Sequence, residues 1–234
     1  MTRLLTACLA AIIFCSCHAI TGNGNIVTQD RHLERFDGIK ASGSIDVEVT
    51  DDANQSVKVE ADDNILPYIV TDVEDGMLNV HLRSNNVFHN IHVKVYVSST
   101  SLSGLYVTGS GSITSKNTLK DNQQIECKLS GSGNIDAMLD APRVIASIGG
   151  SGIIKLQGRT KDFIASITGS GDLKSKSLLS ENAEIKVTGS GSAHVFASVS
   201  LTANVTGIGD IYYSGNPPSP AIHKTGSGSV REEK

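Results

Sequence analysis

The chain has 234 residues, 39% of them hydrophobic, yet it holds five Phe, five Tyr and no Trp, so any core is built from Val, Ile, Leu and Ala. A formal net charge of -4 leaves no basic stripe of the kind that holds a phosphate backbone, and nucleic acid is excluded as the expected partner.

The opening "MTRLLTACLAAIIFCSC" sets Arg3 ahead of an apolar run, Leu4 to Phe14, followed by small residues, which is the layout of a secretory leader. The run is too short to span a bilayer. Two cleavages fit: before Cys17, with Phe14-Cys15-Ser16 as a lipobox-like triplet in which Phe14 stands where Leu is usual, or after Ala19. The first gives a lipoprotein-type signal peptide, 1–16, and acylation of Cys17. A diacylglyceryl group plus an amide-linked chain would then anchor the protein to a membrane, since a single chain binds only marginally. Cys8 and Cys15 depart with the leader, leaving Cys127 as the remaining thiol and no disulfide framework. In "QIECKLSG" Cys127 alternates with Ile125 and Leu129, so a buried small side chain is expected rather than a reactive thiol.

Residues 17–34 read as a linker with a first repeat copy at Gly22 (GNGNI), and 35–106 as an N-terminal β-subdomain. Within it, "IDVEV", "SVKVEA", "YIVTDV", "MLNVHL" and "IHVKVYV" alternate apolar with polar residues, the period of strands. Asp75-Gly76 between two of them is a hairpin signal, so this part is expected to be partly antiparallel and continuous with the repeats of 107–234. His81 and His92 fall on solvent faces and His89 in a loop; Asp51, Asp52, Asp62 and Asp63 sit in turns that need no metal. No metal site and no cofactor are expected.

From residue 107 to 234 one motif returns: Gly109 (GSGSI), Gly131 (GSGNI), Gly150 (GSGII), Gly169 (GSGDL), Gly189 (GSGSA), Gly207 (GIGDI) and Gly226 (GSGSV), at intervals of 22, 19, 19, 20, 18 and 19 residues. An earlier copy stands at Ala41 (ASGSI). Two before each first glycine stand Val107, Leu129, Ile148, Ile167, Val187 and Val205; four before, Leu105, Cys127, Ala146, Ala165, Ile185 and Ala203. Four after stand Ile113, Ile135, Ile154, Leu173, Ala193, Ile211 and Val230. Period-two apolar columns on both sides of the glycines, repeated near every 19 residues, predict parallel strands stacked as coils of a β-solenoid. The paired glycines, Gly109 and Gly111, Gly131 and Gly133, Gly150 and Gly152, Gly169 and Gly171, Gly189 and Gly191, Gly207 and Gly209, Gly226 and Gly228, then face inward. Either a close backbone approach or a corner with positive φ forbids a Cβ there.

Outward from this corner lie two hydroxyl rows. The expected binding face comprises Thr108, Ser110, Ser132, Thr168, Ser170, Thr188 and Ser190, against the plainer reading of Ser and Thr on a solvated strand face. GxGxxG leading into a helix, GxxxxGK[ST], HExxH, GxSxG and CxxC are all missing from the sequence. Glycan-active β-helix enzymes need clustered carboxylates with Arg or Lys on one flank, whereas these coils carry mostly Ser, Thr and Asn.

The segments "FDGIKASGSIDVEV" and "VKVEADDNILPYIVTDVEDGMLNVHL", the GSGxI series and the closing "GDIYYSGNPPSPAIHKTGSGSV" resemble the head GIN domain family of auto-transporter adhesin-like proteins, over roughly residues 35 to 230. The resemblance implies an all-β fold, a right-handed parallel β-helix or β-solenoid, export to the envelope of a Gram-negative cell, and no catalytic residues. The expected function is non-enzymatic: adhesion or interaction with a protein or glycan ligand, with an envelope spacer or a carbohydrate-active enzyme as the alternatives. Open solenoid ends leave room for homo-oligomers. Lys224 breaks the apolar column in the last coil and "NPPSP" precedes it, as a capping repeat requires.

Overall fold

In the computed structural model, which describes residues 18–84 and 86–233, the long elements are all β-strands, with one 3-10 turn at Leu66–Tyr68 among the described residues. The leader 1–16 and Cys17 lie outside the described residues. The segments ahead of the glycine motif stack as one parallel wall, pairing Leu105 with Cys127, then Ala146, Ala165, Ile185 and Ala203 in successive coils. The segments after the motif stack as a second wall, pairing Ile113, Ile135, Ile154, Leu173, Ala193, Ile211 and Val230. The chain is therefore a β-solenoid. Its inner rows are buried, with Phe163 the largest fully enclosed side chain, and only Val230, in the last coil, is half-buried. Cys127 lies in the first wall, fully buried, and burial pushes its thiol up to about 12, so it remains protonated and inert.

The walls meet at the glycine corner. The first glycine of each motif has φ between 113° and 130° from Gly109 to Gly226, a left-handed region. Up to the last coil its carbonyl accepts one or two N–H groups from the next: Gly109 O takes Ser132 and Gly133, both at 2.9 Å, and Gly169 O takes Ser190 at 2.9 Å and Gly191 at 3.1 Å, whereas Gly150 O takes one, from Ser170 at 2.9 Å. A Cβ on Gly131 or Gly169 would stand 2.5 Å from the glycine carbonyl oxygen of the preceding coil. One on Gly171 would meet Ile148 Cγ2 at 2.6 Å and the Gly152 carbonyl at 2.7 Å. Both reasons anticipated for glycine thus operate together at this corner, close approach at both positions and positive φ at the first.

Length changes between coils are absorbed away from this corner. Ser112 pairs with Asn134 but Thr118 with Met138, so the long 22-residue interval is taken up largely by a bulge over 115–117. The 20-residue interval is taken up at Ser175-Lys176, because Lys155 pairs with Lys174 but Gln157 with Ser177. Each bulge buries a serine that repairs the interrupted ladder: Ser115 Oγ accepts the Met138 N–H at 2.8 Å, and the Ser175 hydroxyl donates to the His194 carbonyl at 2.9 Å.

The N-terminal region continues both walls. Met77–Leu82 extends the first beyond Gly38–Gly43 and is closed by the antiparallel Ile69–Glu74; the connecting Asp75-Gly76 has φ of 51° and 77°, the expected two-residue hairpin. Val93–Ser99 extends the second wall beyond Asp46–Asp51, followed by antiparallel Ser56–Asp62 and Ile26–Arg31.

Two expectations need correction. The "ASGSI" copy is shifted by two: Gly109 pairs with Gly43, not Ala41, and Ile45 stands beneath Gly111. Ile45 is fully buried and ends the inner glycine column, where no further coil corner excludes its side chain. Gly22 does not begin a coil, and 17–34 is not a plain linker, because Ile26–Arg31 is a sheet strand and His18–Thr21 pairs with Asn86–His89. Gly22 is small because a Cβ would meet the Asp62 carboxylate and the Asn90 carbonyl, each at 2.6 Å.

The far end matches a capping coil. Ala221–Gly226 is exposed along its whole length, and Lys224 occupies the place of Val205 in the coil before it.

Gly169→Ala combines positive φ with the carbonyl clash and should destabilise by about 3 kcal/mol or more, whereas Gly43→Ala, at φ 91° with nothing within 4 Å of a new Cβ, should cost about 1 to 2 kcal/mol. Thermal melts measure the gap, and equal losses of Tm would show that the stacked carbonyl is not the constraint. The buried Asp62 accepts the Gly24 N–H at 2.6 Å and the His92 N–H at 2.7 Å; the His92 bond foremost holds its carboxyl below the usual range, against the opposing effect of burial. That stabilisation is complete above an ordinary carboxylate pKa of about 4 and is lost as pH falls through the lower folded value. Urea titrations through this acid range should show stability falling less steeply in Asp62→Asn than in the unaltered chain.

Candidate interaction surfaces

The hydroxyl rows run along the glycine corner as expected. Thr108, Ser110, Ser132, Thr168, Ser170 and Ser190 are exposed and Thr188 is half-buried. The serine backbones are fixed, since Ser170 N–H and Ser190 N–H donate at 2.9 Å to Gly150 and Gly169 of the preceding coils. Gly149 interrupts the threonine row and Ile208, 66% exposed, the serine row. Near the N-terminal end Thr108 and Ser130 border a concavity of about 520 Å³ with Tyr106 and the Asp75 hairpin. The Tyr106 hydroxyl donates to Glu126 at 2.6 Å; burial and then this carboxylate raise the phenol well above its ordinary pKa.

A larger groove, about 760 Å³, lies at the opposite corner, where the coils differ in length. Its wall is a ladder of neighbours in register: Lys120 against Asp140, Asp140 against Arg159, Arg159 against Leu179. Beside it run Ala141, Thr160 and Ser180, and Phe196 and Ser198 close the far side. Arg159 grips Asp140 with two bonds, Nε to Oδ1 at 3.0 Å and Nη2 to Oδ2 at 2.7 Å, which holds the carboxyl below its usual range. The Ser180 hydroxyl bonds the Phe196 carbonyl, while Leu179 remains 53% exposed. Reading outward columns around the glycines overlooked this groove; the uneven intervals, 22 to 18 residues, were its signal in the sequence.

In the N-terminal region Asp51, Asp52, Asp62, Asp63, His89 and His92 are occupied with backbone or neighbouring groups. Asp62 and Asp63 dock residues 23–25, with Asn25 Nδ2 donating to Asp63 Oδ2 at 2.6 Å. Asp51 Oδ2 accepts the Lys120 N–H at 3.0 Å and Asp52 the Asn54 N–H at 2.9 Å. His92 Nε2 lies 2.9 Å from Glu60. His89 ends the strand Asn86–His89 rather than lying in a loop, and its carbonyl accepts the Gly22 N–H at 3.1 Å. These residues do not converge on one site.

No curated protein matches the sequence. Several solved structures do. A "putative adhesin" from Bacteroides fragilis superposes with a TM-score of 0.87 at 24% identity, over 92% of this chain and 100% of that one. A "putative lipid binding protein" from Parabacteroides distasonis gives a TM-score of 0.78 at 30% identity, again over 92% and 100%. A "putative adhesin" from Parabacteroides merdae gives 0.73 at 26% identity, over 93% and 100%. Residues 35–217 match the family model described as "Putative auto-transporter adhesin, head GIN domain". That span takes in both walls of the solenoid up to the last coil, with the antiparallel strands Ser56–Asp62 and Ile69–Glu74, and the chain belongs to the head GIN domain family.

Proposed function

We propose that this protein is a non-enzymatic adhesin of the cell envelope, anchored to the outer membrane through acylated Cys17, whose solenoid presents the second-corner groove to a protein or glycan strand. The observation that carries the reading is the groove itself: it crosses successive coils, so a linear ligand lying along it meets Lys120, Asp140, Arg159 and Leu179 in turn, one from each coil. Coils add about 4.8 Å each, so these four side chains span roughly 14 Å. An exposed Leu179, an aliphatic floor at Ala141 and the exposed side chains of Asn122, Lys161 and Glu181 supply the mixture of apolar contact and hydrogen bonding that such a strand requires. The groove's central carboxylate, Asp140, is tied to Arg159 rather than free to act as an acid or base, which favours binding over glycan hydrolysis. The family description and the adhesin-like relatives support the same class of function. The name of the Parabacteroides distasonis relative adds lipid as a ligand to be tested.

The hydroxyl edge is the second reading, favoured by the register of Thr168 with Thr188 and of the exposed serines beside them. Glycan and peptide arrays probed with the protein separate the two. Leu179→Asp should weaken capture of a groove ligand about tenfold or more, the scale of losing a buried apolar anchor, while Thr168→Arg leaves it unchanged. The converse pattern would assign the ligand to the glycine corner, and array binding by neither surface would remove the adhesin reading. Protease treatment of intact cells should cleave the protein, because adhesion requires exposure to the outside.

A further inference from the structure

We propose that the second wall carries a separate binding site for a phosphate monoester, built around the Ser175-Lys176 bulge. The site does not depend on the adhesin reading. In register, Lys155 stacks on Lys174 and Lys174 on His194, so three cationic or protonatable groups follow one another in adjacent coils. Adjacent coils are about 4.8 Å apart, a distance at which like charges repel. The bulge brings a further cation: the extra residue buries Ser175 and leaves the exposed Lys176 beside the column. These four residues, with Gln157 and Ser177, line a shallow cavity of about 350 Å³.

No acidic residue lines that cavity. The carboxylates that answer its charge stand at its margins: Asp136 holds Lys155 Nζ at 2.9 Å, and Glu233 lies 3.5 Å from Lys176 and 3.3 Å from His194 Nδ1. Lys174, in the middle of the column, has no carboxylate within ion-pair distance among the described residues. Elsewhere on this wall the pairing differs, with Lys94 and Lys116 both 3.0 Å from Glu48. The column therefore keeps an excess of positive charge directed at a space large enough for a sugar-sized group. A dianion with several acceptor oxygens satisfies it best: one phosphate monoester can meet two or three ammonium groups at once, with the Gln157 amide and Ser177 hydroxyl as neutral donors at the rim. The His194 ring, stacked on Tyr212 with centroids 4.7 Å apart, is held in place to form the far wall.

Calorimetric titration of the purified protein with mannose 6-phosphate, with mannose as the neutral control, tests the site directly. A parallel assay uses phosphatidylcholine vesicles with and without phosphatidic acid, whose headgroup is also a monoester. Saturable binding of the sugar phosphate and not of mannose is expected, and binding confined to phosphatidic acid vesicles would assign the same group to a lipid. In either case Lys174→Ala should weaken binding about fivefold and Glu233→Gln, which removes a competing carboxylate, should tighten it by up to about fivefold. Variants with unchanged melting curves are compared, so misfolding does not enter. The proposal is overturned if neither phosphate ester binds, if Lys155→Ala and Lys174→Ala bind as well as the unaltered chain, or if a single-stranded DNA oligonucleotide binds equally tightly.

Discussion

The close stacking of each glycine corner on the glycine carbonyl of the coil before it is the contact on which the rest of this structure depends. Gly169 O, for example, accepts from both Ser190 and Gly191, and from Gly109 to Gly226 the space a Cβ would need on the first glycine is filled by the backbone of the coil before it. Repeating that contact fixes how every coil sits on its neighbour. The aliphatic rows Leu105 to Ala203 and Ile113 to Val230 then fall into columns without any large aromatic side chain to set the spacing. Small branched residues suffice because the backbone pairing positions them.

A corner held this closely cannot take an inserted residue, and variation is displaced to the other side of the coil. The bulges at 115–117 and Ser175-Lys176 and the uneven turns that form the groove share this origin. Both surfaces proposed to bind a ligand lie where the coils are irregular. A perfectly regular stack presents the same short polar side chain again and again, as the glycine-corner hydroxyls do; a change of length is what opens a cavity or brings cations together.

The two ends are closed by different means. Antiparallel strands cover the N-terminal end, and the Asp62 carboxylate, held below its usual pKa chiefly by the His92 N–H, fastens the entering segment to it. At the other end a fully exposed strand carries Lys224 in an inward row, which opposes pairing with another sheet edge.

The solenoid, its inner rows, the Asp75-Gly76 hairpin and the buried Cys127 were legible because each depends on local order: period two for strands, a period near 19 for coils, a turn dipeptide, an alternating neighbour. The register of "ASGSI" was misread because Ala41 and Gly43 fit the motif equally well as letters, and only the stacking of Gly43 beneath Gly109 distinguishes them. Gly22 was misread for a related reason, since a glycine made necessary by the Asp62 carboxylate looks the same as one made necessary by a coil corner. By itself, then, the sequence determined the class of fold and which side chains face inward. Tertiary structure decided which coil lies against which, hence the groove beside Leu179 and the column Lys155, Lys174 and His194, because residues about 19 positions apart become neighbours only once the register between coils is set.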